Sequence, residues 1–336
     1  MCRLPIVCIV LYAAAAFAQI EETITVERIL IDVRVTGYNG EPLTDLNAED
    51  FDVHIAGKPA KLESVEWIQD AGIDPNAPFD DLETRRLGDS KGRLIVVFIQ
   101  TDFARNKARV EGQLNFQRFA EQMIETLEPD DRVAVFSFDS HLKFRLDFSN
   151  QAAHIQTAMR EAIMVNEPNT PPLVPNPSLA SRLDRNEMKR ASDSETALII
   201  VGNALRQIEG PKSMLLIGWG LGRRTGDTVT MGLKWPIARR VLDAARVSIF
   251  ALDTTWADYH DLEIPMQQAA EETGGFYAKT HVFPKLAVER LQRTLMGRYE
   301  LSLLRPTGLE AGVQVLDVRV KRKGVHVLAP TSVRLR

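Results

Sequence analysis

The sequence predicts an α/β protein: a mostly parallel sheet with helices on both faces, plus a β-sandwich-like region formed by the two terminal segments. Two observations carry this prediction. Between residues 93 and 297, short apolar runs typical of buried strands alternate with amphipathic stretches typical of helices. Before and after that region, alternating apolar and polar residues predict half-buried strands with no helix between them.

The N-terminal segment, residues 19–69, is predicted to consist of strands. Residues 23–36 are rich in β-branched side chains and alternate apolar and polar in their second half, which is typical of a half-buried strand. Further strands are predicted at residues 51–55 and 62–68. Residues 70–92 hold prolines and glycines among many acidic residues, which indicates a linker.

The central region alternates strands with helices. Apolar runs and alternating segments predict strands at residues 94–99, 132–138, 141–148, 214–217, 247–252 and 276–278. Apolar residues at helical spacing predict helices at residues 107–127, 151–164, 188–209, 232–245, 264–272 and 284–297. The turn Asp139-Ser140 leads directly from the second strand to the third, whereas most other connections contain helices, which favours a mostly parallel sheet.

The C-terminal segment, residues 298–336, returns to strand patterning at residues 298–304, 313–320 and 325–335. The simplest arrangement is one β-sandwich built from both terminal segments, with the central region inserted between them. Two or three strands alone rarely bury enough surface, which favours this arrangement. The alternative is two separate small β modules.

Residues 1–18 have the features of a secretory signal peptide. Arg3 precedes an apolar run from Leu4 to Tyr12, and Ala16-Phe17-Ala18 forms a small-x-small cleavage site. The alternatives are an uncleaved anchor or a buried strand, but the run is shorter than the ~20 residues that a membrane span needs. We therefore expect a protein exported through the inner membrane to the periplasm or the cell exterior, without a membrane span in the mature chain.

The cysteines and the charge exclude further classes of function. Both cysteines, Cys2 and Cys8, lie inside the predicted signal, so the mature chain would have no disulfide, thiolate metal site or cysteine nucleophile. The formal net charge of the whole chain is −4, which disfavours nucleic-acid binding because that requires a basic surface.

The order strand, helix, strand, tight hairpin, helix, helix, strand resembles that of a von Willebrand factor A (VWA) domain, whose third strand runs antiparallel. Shorter segments are similar to exported VWFA-related proteins that are abundant in acidobacteria: Gly40-Glu41-Pro42-Leu43-Thr44-Asp45-Leu46-Asn47-Ala48-Glu49-Asp50-Phe51, Gly57-Lys58-Pro59, Ser194-Glu195-Thr196-Ala197 with Asn203-Ala204-Leu205, and Tyr299 with Pro306. The resemblance covers nearly all of the mature chain and implies a VWA fold for residues 93–297.

The resemblance also implies a divalent-cation site, Mg²⁺ or Mn²⁺, whose three loops supply Asp-x-Ser-x-Ser, a Thr and an Asp. In this sequence Gln100 stands at the first Asp, and Asp102 at a serine position. A register shifted by two makes Asp102 the aspartate, but Ala104 then replaces a serine. Gly218 stands at the third-loop Asp, so that only Thr196 matches. The adhesion-type metal site is therefore predicted to be degenerate.

Two residues, Asp102 and Thr196, remain candidate metal ligands. The alternative for Asp102 is a solvated loop residue or a helix cap, and for Thr196 a residue of a helix N-terminus. Neighbouring loops could lend a carboxylate from one of three residues: Asp139, Asp227 and Asp253.

The carboxyl ends of the predicted parallel strands share one edge, where open α/β sheets bind ligands. That edge is predicted to carry four aromatic residues and a proline-rich insert: Phe103, Trp219, Trp256 and Tyr259, with the insert at residues 166–195. Tryptophan and tyrosine are favoured at protein interfaces. One interpretation is an aromatic surface that binds a protein partner without a metal; the alternative is that these rings pack beneath the loops.

Enzyme interpretations fail on the motifs. The sequence has no Gly-x-Ser-x-Gly elbow, no His-Glu-x-x-His and no phosphate-binding loop. His260 lies near Asp258 and Asp261, a pattern that favours a polar loop over a ligand cluster. The leading hypothesis is an exported, non-enzymatic protein–protein interaction module that needs no cofactor. The alternative is a receptor that binds a partner's carboxylate through Mg²⁺ or Mn²⁺.

Overall fold

The structure is a computed structural model that describes residues 27–38, 40–70, 92–101, 106–125, 127–164, 178–225, 228–281 and 283–336. In chain order the strands are β1 (Arg28–Thr36), β2 (Phe51–Ile55), β3 (Lys58–Pro59), β4 (Lys61–Gln69), β5 (Leu94–Gln100), β6 (Arg132–Phe138), β7 (Leu142–Ser149), β8 (Lys212–Gly218), β9 (Arg223–Thr225), β10 (Thr228–Thr230), β11 (Val247–Asp253), β12 (Tyr277–Lys279), β13 (Gly297–Leu304), β14 (Gly312–Val320), β15 (His326–Leu328) and β16 (Ser332–Leu335). The helices are α1 (Lys107–Glu125), α2 (Ala152–Ile163), α3 (Arg185–Arg190), α4 (Ser194–Leu205), α5 (Trp235–Ala244), α6 (Glu263–Glu272) and α7 (Pro284–Thr294).

A six-stranded sheet forms the centre of the molecule, in the order β12-β11-β8-β5-β6-β7. All neighbouring strands in it are parallel except β6 and β7, which are antiparallel. The predicted mostly parallel sheet, including the antiparallel third strand, is therefore confirmed.

Helices cover both faces of this sheet because its central strands are apolar on both sides. Successive side chains of a strand point to opposite faces. Val96 and Phe98 of β5 accordingly pack with α4, α5 and α6, whereas Val97 and Ile99 pack with α1, α2 and α7. The three layers produce two hydrophobic cores, which hold the sheet edge described below in place.

The terminal segments form two antiparallel sheets, in the orders β15-β1-β13-β4 and β16-β14-β2-β3. Each sheet contains strands from both ends of the chain, and both sheets contribute to one hydrophobic core. Tyr299 lies in that core, where its hydroxyl donates to Leu43 O at 2.8 Å and accepts from Leu46 N at 2.9 Å. Gln69 pairs with Gly297, so the central region leaves the terminal sheets and returns to them on adjacent strands.

Some predicted boundaries are wrong. The predicted helix at residues 188–209 is two helices, α3 and α4, because Asp193 accepts from Thr196 N and caps the start of α4. The last predicted strand, 325–335, is likewise two strands. No strand was predicted between residues 217 and 232, where β9 and β10 form a short antiparallel pair. Across the described ranges, no helix combines the length and apolarity that a membrane crossing needs.

The contact between α5 and β16 predicts a pH effect on stability. Burial raises the pKa of Asp243 to about 6, with the nearby Glu272 also raising it, although Ser332 Oγ donates to Asp243 Oδ2 at 2.8 Å. The folded state therefore retains a proton that the unfolded state has lost, and stability falls as the pH rises from about 4 to about 6.

We expect Asp243→Asn to remove this loss, because the amide is neutral at every pH. The variant should be more stable than the wild type at pH 7.5, by at most about 3 kcal/mol, and equal to it below pH 4. Urea unfolding at both pH values measures the difference, with Glu271→Gln, an exposed carboxylate on α6, as the control. A variant less stable than the wild type at pH 7.5 would contradict the prediction.

Candidate functional site

The candidate site lies at the carboxyl edge of the central sheet. Strands β5, β6, β8 and β11 are parallel neighbours, so the segments that follow all four strands emerge at this edge. Ligands of open α/β sheets bind there. The sequence-based placement of the edge is therefore consistent with the observed topology.

Gln100, at the end of β5, joins three segments of this edge by hydrogen bonds. Its Nε2 donates to Ser194 Oγ at 2.9 Å, and its Oε1 accepts from the backbone amides of Trp219 and Gly220 at 3.3 and 3.4 Å. A Cβ at Gly218 would overlap Gln100 Oε1, so the glycine leaves room for the amide. Gln100 thus holds the start of α4 and the segment after β8 together.

Thr196, in the first turn of α4, is also engaged. Its hydroxyl donates to Asp193 Oδ1 at 2.7 Å and accepts from Lys234 Nζ at 2.7 Å. Lys234 Nζ lies 2.8 Å from Asp193 Oδ2 as well. Burial raises the pKa of Asp193, but the hydrogen bonds from Lys234 and Thr196 outweigh that effect and leave the pKa lowered. Asp193 is therefore charged at neutral pH and paired with an ammonium group.

These residues are a poor fit for a divalent cation. Mg²⁺ prefers a shell of carboxylate, hydroxyl and water oxygens. At the positions that the VWA resemblance assigns to ligands stand the neutral amide of Gln100 and the bare backbone of Gly218. The Thr196 hydroxyl is contacted by the Lys234 ammonium. A metal placed beside Thr196 would have to displace that positive charge.

Of the other predicted metal ligands, some lie outside the described residues and some are already paired. Asp102 and Asp227, as well as the aromatic Phe103, lie outside the described residues. Asp139 forms a salt bridge of 2.9 Å with Lys143, and its pKa is lowered because the hydrogen bonds from Lys143 and Ser140 outweigh its burial.

Asp253, at the end of β11, belongs to a cluster that the sequence did not reveal. His260 Nε2 donates to Asp253 Oδ2 at 2.6 Å, and the Tyr277 hydroxyl donates to the same oxygen at 2.7 Å. Glu263 completes a group whose possible ligand atoms all lie within 4.8 Å of one another, but Lys279 Nζ already lies 2.6 Å from Glu263 Oε2. The ammonium supplies the positive charge that the two buried carboxylates require.

The ionisation of this cluster follows from its hydrogen bonds. Burial raises the pKa of Asp253, but the bonds from His260 and Tyr277 outweigh it and leave the pKa lowered. Burial and the two carboxylates raise the pKa of Tyr277 well above its usual range, so the phenol keeps its proton. Neither of the acidic residues that flank His260 in the sequence, Asp258 and Asp261, is its hydrogen-bond partner in this cluster, which is Asp253.

The loop anchored by this cluster, residues 254–262, presents two exposed aromatic side chains. Trp256 is 51% exposed and Tyr259 is 61% exposed. The Trp256 ring stands edge-on to His281, with 6.3 Å between the ring centroids. Phe283, two residues after His281, is 64% exposed. The sequence did not predict it as part of this edge, because it follows the short outer strand β12.

Trp219 differs from these residues because it is only partly exposed. The guanidinium of Arg109 lies 3.7 Å from the centroid of its ring. Its backbone amide is bound by Gln100, and among the described residues its buried Nε1 has no hydrogen-bond partner. Trp219 is therefore covered by Arg109, which is closer to the packing alternative.

Helix α1 sets the position of the loop by a close backbone approach. Trp256 N donates to Ala108 O at 3.2 Å. A Cβ at Gly112 would overlap the carbonyl oxygen of Thr254, so that only glycine allows the helix and the loop to approach this closely.

Comparisons with known proteins gave structural similarities at low identity. No family model matches the chain, and no curated protein matches it. A von Willebrand factor type A protein from Catenulispora acidiphila is 8% identical, with a TM-score of 0.40, over 93% of this chain and 74% of that one. An aerotolerance-related membrane protein from Bacteroides fragilis is 12% identical, with a TM-score of 0.38, over 60% of this chain and 98% of that one.

The PilB minor pilin from Streptococcus sanguinis is 11% identical, with a TM-score of 0.39, over 63% of this chain. The match spans 64% of the pilin, which is less than two thirds of its length. At these identities and scores the comparisons carry no argument about function.

Proposed function

We propose that this protein is an exported, non-enzymatic protein–protein interaction module with a VWA-like central domain. The partner binds at the carboxyl edge of the central sheet. The observation that carries the proposal is the pair of exposed aromatic side chains, Trp256 and Tyr259, on a loop that is fixed at several points. Exposed tryptophan and tyrosine on a rigid support are the side chains that most often dominate binding energy at protein interfaces.

The loop is fixed by hydrogen bonds on both sides of Trp256. Thr254 N donates to Gly218 O at 2.8 Å, and Thr255 N donates to Asp253 Oδ1 at 2.9 Å. After Tyr259, His260 binds the buried carboxylate of Asp253. Because these contacts order the loop before a partner arrives, binding loses little conformational entropy.

The apolar surface extends beyond the loop. His281, which contacts the Trp256 ring, is followed by Phe283 and by Leu286 at the start of α7, and these two side chains are 64% and 59% exposed. A surface of this kind fits a partner segment with apolar side chains. The proline-rich insert predicted at the same edge falls partly within residues 165–177, which lie outside the described residues.

The proposed interaction uses no cation. The Gln100 amide joins segments that a metal joins in a cation-dependent VWA domain, and Lys234 places a positive charge on the Thr196 hydroxyl. Both contacts support a metal-free mode of binding. The alternative, a Mg²⁺- or Mn²⁺-dependent receptor using Asp102 and Thr196, requires the site to rearrange.

We expect the double substitution Trp256→Ala and Tyr259→Ala to weaken peptide binding by about 30-fold or more, because it removes two anchors at the centre of the surface. The probes are synthetic peptides selected from a random library on the immobilised wild-type protein, and fluorescence anisotropy measures their Kd. Tyr38→Ala, which removes an 88% exposed tyrosine from the terminal segment, is the matched control. Peptides that bind the double variant as tightly as the wild type would refute the proposed surface.

A metal titration separates the two modes of binding. We expect calorimetry of the chelator-treated protein to detect no binding of Mg²⁺, Mn²⁺ or Ca²⁺ at millimolar concentrations, because the described ligands are neutral or already paired. Thr196→Ala is measured in parallel. Millimolar binding in the wild type that is lost in this variant would replace the proposal by the metal-dependent alternative.

A further inference from the structure

A second site lies at the opposite edge of the central sheet, where its amino ends meet the terminal sheets. The cavity there has a volume of about 900 Å³, which is within the range of small-molecule sites. Its lining includes six arginines: Arg34, Arg93, Arg132, Arg182, Arg246 and Arg298. Four acidic residues also line it: Asp70, Asp130, Glu209 and Glu300.

Two of these arginines are paired with carboxylates. Arg246 donates to both carboxylate oxygens of Asp32, at 2.9 and 2.7 Å, and to Glu300 Oε2 at 2.6 Å. Arg298 donates to Asp32 Oδ1 at 2.8 Å and also bonds Asp70. Both carboxylate oxygens of Asp32 therefore already accept hydrogen bonds from these two arginines, and Asp32 is not a direct partner of a third guanidinium.

Arg34 is the exception. Its side chain projects from β1 and is only 4% exposed, yet its hydrogen bonds are two long ones of 3.3 Å to Ser213 Oγ and Ser248 Oγ. The guanidinium also lies 5.3 Å from the centroid of the Phe250 ring, which supplies no negative charge. Its Nε is buried without a hydrogen-bond partner, and within the described ranges no carboxylate lies within salt-bridge distance of it. A buried charge without a counterion is strongly unfavourable, so this arrangement points to a missing anion.

The charge around Arg34 supports an anion. Burial, together with the positive charge of Arg298, lowers the pKa of Arg34 to about 10, although the charge of Asp32 opposes this shift. The guanidinium still keeps its proton at neutral pH. Lys212, which is also buried at this edge, donates to two backbone carbonyls and not to a carboxylate. The positive side chains of this region thus outnumber by one the carboxylates that pair with them. The cations are Arg34, Lys212, Arg246 and Arg298, and the carboxylates are Asp32, Asp70 and Glu300.

The cavity wall offers further donors. Arg132 donates to the carbonyls of Pro129 and Asp131, and Arg182 to that of Ser178. A planar guanidinium that is held by backbone carbonyls can still present its remaining N–H groups to an oxyanion. Asp130 and Glu209 line the same cavity but are exposed, so solvent screens their repulsion of an anion.

We propose that this cavity binds a small molecule bearing a carboxylate or phosphate group, whose oxyanion pairs with Arg34. A carboxylate and a phosphate differ in geometry, but both present negatively charged acceptor oxygens to the guanidinium. The ligand would link the central sheet to the terminal sheets, at the edge of the molecule opposite the proposed partner surface. Its binding does not depend on the proposed interaction function.

Calorimetry and thermal unfolding with inorganic phosphate and with citrate test this site, at an ionic strength kept constant with sodium chloride. We expect saturable binding of at least one of the two anions by the wild type, a rise of Tm with its concentration, and loss of both effects in Arg34→Met. Binding of phosphate alone assigns a phosphate ligand, and binding of citrate alone assigns a carboxylate ligand.

Two further variants keep the test decisive if Arg34→Met does not fold. Arg132→Gln, at the cavity wall, should weaken anion binding about fivefold or more, whereas Arg240→Gln, an exposed arginine on α5, should leave it unchanged. The proposal is overturned if neither anion binds saturably to the wild type. It is also overturned if the folded cavity variants bind as tightly as the wild type.

Discussion

Replacing Asp32 by asparagine is expected to destabilise the protein by about 3–5 kcal/mol, the usual effect of removing one partner from a buried ion network. The Asp32 side chain is 10% exposed and accepts three hydrogen bonds from Arg246 and Arg298. The asparagine keeps the size but not the charge, so both guanidiniums lose their shared counterion. Guanidinium chloride unfolding followed by circular dichroism measures the change.

The pH dependence provides a second measure of the same network. Burial raises the pKa of Asp32, but the hydrogen bond and charge of Arg246 and the charge of Arg298 outweigh it and leave the pKa lowered. The stability that Asp32 contributes is therefore complete above the carboxyl's unfolded value, 3.8, and is lost as the pH falls through the lower folded value. The acid side of the stability profile should be flatter in Asp32→Asn.

The control for this experiment is Asp45→Asn, which breaks a solvent-exposed salt bridge to Arg322. Exposed pairs contribute little because water and salt screen them. Equal stabilities of the Asp32 and Asp45 variants would show that the buried network does not hold the terminal sheets to the central one.

Gly112→Ala is expected to cost about 3 kcal/mol of stability and to weaken peptide binding at the proposed surface. Helix propensity alone predicts the opposite sign, since alanine is favoured over glycine inside a helix by about 1 kcal/mol. The new methyl group would overlap the Thr254 carbonyl, which is backbone and cannot rotate away. The loop that carries Trp256 must therefore move away from α1. Urea unfolding and peptide anisotropy measure the two effects.

Gly202→Ala in α4 is the matched control, since it is also a glycine inside a helix. The nearest atom to its added Cβ is Val241 Cγ1 at 2.8 Å, the end of a side chain. A small adjustment there relieves the overlap, so the loss of stability should be smaller, and peptide binding should not change. If both alanine variants behave alike, the close approach of α1 does not determine the loop position.

The layers of the fold could be predicted from the sequence because the pattern of apolar residues is local. The run Leu94 to Ile99 predicts a strand buried on both faces, and β5 is such a strand at the middle of the sheet. The break between α3 and α4 could not be predicted in the same way. Ala191 continues the apolar spacing, and only the hydrogen bond from Thr196 N to Asp193 shows that a new helix begins.

The candidate site was only partly predictable. Topology placed Trp256 and Tyr259 at the carboxyl edge, but it could not show that Trp219 is covered by Arg109. The sequence singled out Gln100 only through a resemblance and could not show what it binds, because its partners are about 100 residues away along the chain. The surroundings of Arg34 are still more distant, since its two serine partners belong to a different sheet.

The insertion of the central region between paired strands has a consequence for biosynthesis. All six strands of the central sheet lie between residues 94 and 279, so this sheet can form before the C-terminal segment leaves the ribosome. Strand β1 can pair only after β13 has been synthesised, and only three strands follow β13 in the chain. Until then, the unpaired edge of β1 is available to other strands. In a newly made chain, β1 is therefore the strand most exposed to mispairing with a second copy of the protein, because it is synthesised first and paired late. Joining residue 69 directly to residue 297 would remove the delay.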